Sequence, residues 1–257
     1  MLLAAFASQL PFTELLNRLS GGAVTQLLGA LGIHPHDPAH PIPNFVAMQI
    51  LLVLSLTGLF LIVRSRLSVE QPGFVQHIAE SIHEFVEGYA HQLIGHGAAR
   101  FVPFLTSILL FILGANLMGV IPTLESPTAN PSVPLGCAIT TFITYHWHGI
   151  RAQGLHYIQQ FIGPTDSDIS LVIRIPLGLL ILPIELVSHS ARLLSLTVRL
   201  WANIFAGDMV TLAFFSLIPI GLPVMFTGLH IGVSLVQAFI FMLLTTVYIS
   251  SAVAAEH

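Results

Sequence analysis

Glu185, His189, Arg192, Ser195, Arg199 and Asn203 follow one another at steps of three or four through an otherwise apolar stretch. At about 100° per residue, such steps keep them on one face of a helix. Asp208 lies nine residues past Arg199, which turns it through about half a circle to the opposite side. In a second apolar stretch His230, Ser234, Gln237 and Thr245 repeat the arrangement. An arginine or aspartate at the centre of a bilayer costs about 2.5–3.5 kcal/mol on insertion scales, so it is kept for a partner or a wet cavity. Arginine does not deprotonate in proteins, so Arg199 cannot itself relay a proton, although it can hold a nearby carboxylate ionised. The titratable relay candidates are Glu185, His189, Asp208 and His230. Two blander readings of Arg199 fit less well. Snorkelling suits Arg174 near a span end, and the half-turn offset weakens a static pair with Asp208.

These residues need elements that cross a membrane. The chain has 257 residues, 54% hydrophobic and 8% charged, where a soluble domain carries about 25% charge. Its basic residues are all arginine, and the formal net charge of −4 gives no basic surface for nucleic acid. The lone Cys137 offers neither an internal disulfide nor a thiol cluster for a metal.

The pattern predicts an all-α membrane protein with about five crossings, near 44–63, 101–121, 133–150, 169–218 and 222–252, in a single transmembrane helical domain over 43–257. Residues 1–42 read as an N-terminal peripheral segment, with a cleaved signal as the alternative. Over 74–93 apolar residues at helical spacing oppose His77, Glu80, Glu84, Glu87 and His91, which predicts an amphipathic helix on the membrane surface or against a partner. Arg64, Arg66, Arg100, Arg151 and Arg174 fall on one side if the N-terminus is outside, and the loop 122–132 carries Glu125 and no base. The basic-residue bias therefore places the C-terminus inside. The stretch 169–218 would run about 75 Å as one helix against a hydrocarbon thickness of about 30 Å. It must incline steeply or break at Pro176 or Pro183, and with 222–252 it forms a hairpin of two long inclined helices. On this plan Glu185 and His189 lie nearer the inside, while Asp208 and His230 lie nearer the outside, beside the turn at 218–222.

The segments "SLTVRLWANIFAGD", "GLHIGVSLVQAFIFMLLTTVYISSAVAAEH" and "NLMGVIPTLESPTAN" resemble subunit a of the F-type ATP synthases, the stator half of a membrane proton channel, and the helix plan agrees over about 43–257. The resemblance implies that Arg199 faces a ring of c subunits, that Asp208 is the acid of the outside half-channel and His230 its titratable partner. It further implies that Gln237 packs near the arginine, that Asn203 is the polar residue one turn along, and that Glu185 is an acid of the inside half-channel. His189 joins Glu185 there as a relay candidate from its place on the helix. Gly119 stands where relatives can carry an acid, so no proton role is assigned to it. Implied partners are the c-ring subunits, the peripheral-stalk b subunits and the rest of the synthase in a bacterial plasma membrane.

No GxxxxGK[ST] phosphate loop is present, so nucleotide chemistry belongs to partner chains, and no cofactor or metal is expected. The triplet His34, His36 and His40 is interrupted by prolines and reads as a loop. His146 and His148 flank Trp147 at a span end and read as an interfacial belt. Asp166 and Asp168 read as solvating or capping the start of the long helix. The competing classes are a secondary transporter or ion channel with an Arg/Asp/His relay, which predicts inverted repeats, an intramembrane hydrolase, which lacks GxSxG and HExxH, and a structural subunit.

Overall fold

The computed structural model describes residues 10–30, 32, 40–68, 73–121, 124–154, 157, 171–217 and 221–253. The expectations for His34, His36, Asp166 and Asp168 lie outside the described residues. The described elements are all helical: α1 (Pro11–Ala30), α2 (Asn44–Ser65), α3 (Phe74–Ile94), α4 (Val102–Met118), α5 (Ser132–Gln153), α6 (Leu171–Leu217) and α7 (Leu222–Val253), with short 3-10 turns at Ala98–Arg100 and Pro127–Ala129. By length and composition α2, α6 and α7 can each cross a membrane, and α4 is a shorter apolar helix. The chain is an integral membrane protein of the all-α class. α5 has 22 residues, but His146, His148 and Arg151 make it more polar than those spans.

Two compact units divide the chain. The first comprises 1–73, 111–130 and 203–235, and the second 74–110, 131–202 and 236–257, so that α4, α6 and α7 each contribute to both.

In the first unit α2 follows Pro43, whose extended backbone ends the preceding segment. One side of α2, through Ala47, Met48 and Leu52, packs with Ile42, Ala115 and Met118, while Val53, Leu54, Phe60, Leu61 and Ile62 stay exposed, as suits a lipid-facing side. The close approach of α4 is set at Gly114, where a Cβ would come within 2.6 Å of the Leu52 side chain. Residues 11–30, read from the sequence only as part of a peripheral segment, form α1, which buries Thr13, Asn17 and Gly21. Asn17 ties this helix down by accepting from the Ile42 N–H (3.0 Å) and donating to the Ile42 carbonyl (3.1 Å).

In the second unit α3 keeps its acidic and histidine-rich face exposed and buries Val86 and Ala90. Phe85 and Tyr89 pack on Phe239 of α7 with ring centroids 5.7 and 5.3 Å away, and the Ser250 hydroxyl donates to the Leu93 carbonyl. The surface helix is thus anchored on α7 by aromatic contacts as well as being amphipathic.

α6 runs through Pro176 and Pro183 without a break. Its 47 residues extend for about 70 Å, so of the two ways to fit a bilayer about 30 Å thick, inclination remains. In the first unit α6 and α7 run antiparallel, since Phe214 stacks on Phe226 at 4.4 Å and Asp208 meets His230. In the second Arg192 lies over Tyr248 at 5.2 Å.

Candidate functional site

The first unit holds a carboxylate–imidazole pair. Asp208 Oδ1 lies 3.6 Å from His230 Nδ1, an ion-pair distance slightly long for a hydrogen bond. His230 is buried at 8% exposure, while the Asp208 side chain keeps 29%, so the carboxylate is the wetter member. Gly207 allows this approach, because a Cβ there would meet His230 Nδ1 at 2.9 Å. Among the described residues Nε2 of His230 has no hydrogen-bond partner, although it is buried. A buried imidazole nitrogen in that condition calls for a water or a transferable proton.

Glu125, in the connection between α4 and α5, accepts a 3.4 Å bond from Asn44 Nδ2, and its charge reaches Asp208. Burial raises its carboxyl above the ordinary 4.5, with the Asn44 bond opposing the shift. Beside it Ser126 donates to the Ala115 carbonyl (3.1 Å), and the Thr128 hydroxyl donates to Asn116 Oδ1 (2.6 Å). These bonds fold the 126–128 turn against the end of α4. They also explain Gly119: a Cβ would lie 2.9 Å from Ser126 Cβ, so the position has no room for an acid unless the turn moves.

The second unit holds the other candidates. Glu185 and His189 lie on α6, both partly buried. His189 Nδ1 is 2.8 Å from the Tyr145 hydroxyl of α5, and Glu185 is close enough for its charge to act on His189. Next to them His146 Nδ1 is 2.8 Å from the Tyr157 hydroxyl, and the His146 and His189 rings are 4.9 Å apart. Tyr157, between α5 and α6, is buried at 5% exposure. Burial pushes its hydroxyl up to about 12, with Arg192 opposing and Glu185 adding to the shift, so it is a neutral donor and acceptor at ordinary pH. The sequence reading missed Tyr145, His146 and Tyr157. Trp147, 63% exposed, does suit an interfacial belt, whereas Nε2 of His146 is buried.

Arg199 is partly exposed, and its Nη2 donates to Ser195 Oγ at 3.2 Å. Among the described residues it pairs with no carboxylate. Gln237 is buried at 7% exposure, and Asn203 is exposed. Leu196, Leu200 and Ile204, at four-residue intervals, are the buried residues of this stretch, and Arg199 stands on the flank of that stripe.

Arg199 thus stands on a membrane-crossing helix with no carboxylate partner among the described residues, and titratable groups lie ahead of it and behind it in the chain. Comparison with known proteins gives the family. The model of the ATP synthase A chain family matches residues 45–250. The chain belongs to the ATP synthase subunit a family. It is 46% identical to the ATP synthase subunit a of Koribacter versatilis (strain Ellin345) over 97% of this chain and 98% of that one. The subunit a of Solibacter usitatus (strain Ellin6076) is 46% identical over 92% of this chain and 97% of its own. ATP synthase subunit a 1 of Syntrophotalea carbinolica is 36% identical over 80% and 84%. As the matched region spans α2 to α7, both polar clusters and Arg199 lie inside the part shared with the subunit a family.

Proposed function

We propose that the chain conducts protons through two offset half-channels to and from the rotating c ring of an F-type ATP synthase, and so couples a transmembrane proton gradient to ATP synthesis. The observation that carries this reading is Arg199, a permanent cation on a membrane-crossing helix with a lone serine hydroxyl as its described partner. A guanidinium left without a carboxylate among the described residues is available to one on a neighbour. Asp208 and His230 serve the outside route, and Glu185 and His189 the inside route. Gln237 packs near the guanidinium, and Asn203 is the polar residue one turn along α6.

In this mechanism a ring carboxylate takes a proton from one route and turns into lipid as the neutral acid, because a charged carboxylate there would cost several kcal/mol. On reaching the other route it comes under the field of Arg199, which favours loss of the proton. Since Arg199 neither accepts nor yields a proton, and repels one, it bars direct passage between the routes. Residues 43–257 act as one five-crossing domain in a bacterial inner membrane, with the N-terminus outside and the C-terminus inside, as the five arginines at span ends favour. The c ring and the peripheral-stalk b subunits are its partners, and ATP chemistry stays on other chains.

The test is proton-driven ATP synthesis by the reconstituted complex in vesicles. Arg199→Ala should assemble and synthesise no ATP, and Arg199→Lys should not restore normal coupling, because an ammonium can lose its proton and lacks the planar fork. Synthesis at the wild-type rate in the alanine variant overturns the reading.

A further inference from the structure

The inside route as read from the sequence stops at two residues of α6, Glu185 and His189. Around His189 the second unit assembles more. Its Nδ1 is 2.8 Å from the Tyr145 hydroxyl, its ring is 4.9 Å from that of His146, and His146 Nδ1 is 2.8 Å from the Tyr157 hydroxyl. Tyr145 is 2% and Tyr157 5% exposed, so these hydroxyls are spent on the imidazoles rather than on bulk water. Gly149 leaves the space for Tyr157: a Cβ there would come within 2.6 Å of its ring. A purely structural aromatic cluster has no need of two titratable rings each bonded to a hydroxyl; phenylalanines would fill the volume without polar groups to satisfy.

The geometry points to Tyr157, His146, His189 and Tyr145 as a proton relay of the inside route, a deepening that rests on the proton-translocation reading above. Imidazole suits such a relay because one ring nitrogen accepts a proton while the other releases one, and a phenol accepts through its oxygen as it donates its hydrogen. No electrons move, and each proton gained at one atom of a ring is matched by one lost from the same ring. Glu185, whose charge acts on both His189 and Tyr157, favours a passing proton on either. Arg192, over Tyr248 at 5.2 Å, repels one, which biases the proton towards the Glu185 side.

The experiment is gradient-driven ATP synthesis by the whole complex in vesicles carrying His146→Ala, His146→Gln or Tyr157→Phe. Glutamine keeps a polar group of similar reach but does not titrate. His146→Ala and His146→Gln should both slow synthesis by about tenfold, at the low end of what a positioned acid–base group supplies. Tyr157→Phe should slow it less. Added imidazole should restore part of the rate in His146→Ala, where it has space, and none in His146→Gln. Wild-type rates in His146→Gln, or full recovery when glutamine replaces alanine, assign His146 a packing role and overturn the relay. If the alanine variant fails to assemble, the glutamine and phenylalanine variants decide by the same criterion. Arg199→Ala in the same preparation separates the two claims. Normal synthesis there removes proton translocation itself, whereas its loss beside a normal His146→Gln removes only the relay.

Discussion

Asp208 meets His230 as one carboxylate against one imidazole, whereas His189 and His146 each hold a tyrosine hydroxyl and lie ring to ring. The two regions use different chemistry. A carboxylate and an imidazole can hold or release a charge between them, and the 29% exposure of Asp208 leaves that pair in reach of water. The imidazole–phenol array is made of groups that are neutral in one protonation state, which suits passing a proton on more than storing it. On the proposed reading the first pair would store charge at an entrance and the second array would pass protons on.

Asp208→Asn is the most damaging way to probe that contrast. It removes the titrating oxygen and keeps the shape, so proton entry from outside should slow by about tenfold or more, with the complex still assembled; unchanged flux across a pH series removes Asp208 from the path. Gly207→Ala strikes the same pair through packing. Its Cβ would lie 2.9 Å from His230 Nδ1, and overpacking of this kind costs about 1–3 kcal/mol. Flux should fall less than in the asparagine variant, and a wild-type rate would mean that the approach of His230 to Asp208 is dispensable.

Gly149→Ala is the counterpart in the second region. Its Cβ would come within 2.6 Å of Tyr157, pushing that hydroxyl off His146, and should slow gradient-driven ATP synthesis less than Asp208→Asn does. A wild-type rate would mean that the approach of Tyr157 to His146 is dispensable.

The smallest effect belongs to Glu125. Its folded carboxyl titrates above the ordinary 4.5 because burial disfavours the anion. Its stabilising contribution is therefore complete below about 4.5 and is lost as pH rises through the folded value. Glu125→Gln should flatten the fall in thermal stability over that window, read from melting of the purified complex at a series of pH values. An unchanged pH dependence would place Glu125 in a solvated setting.

What was legible in the sequence follows from periodicity. Glu185, His189, Arg192 and Arg199 stand out because polar residues at helical steps are costly in an apolar run, and the same pattern in His230, Ser234 and Gln237 fixed the paired helix. Tyr145 and His146 were illegible for a different reason. The bond from Tyr145 to His189 joins residues 44 apart in the chain, and no local pattern encodes a contact across that separation. An aromatic–histidine run at a span end also has a plain alternative in the interfacial belt, which Trp147 does satisfy. α1 lay hidden because its buried residues are small and polar, Thr13, Asn17 and Gly21, while Phe12, Leu16 and Val24 pack only partly buried against the core. The reason for glycine at 119 depends on the approach of Ser126, which only the folded turn reveals.

The most direct measurement is proton conduction by reconstituted complexes whose c ring has been cross-linked to the stator so that it cannot turn. With Arg199 in place conduction should stop when the ring is locked, and Arg199→Ala should let protons leak past the stationary ring. Undiminished conduction through the locked complex with Arg199 intact would mean that the two routes join inside this chain, and would contradict the account.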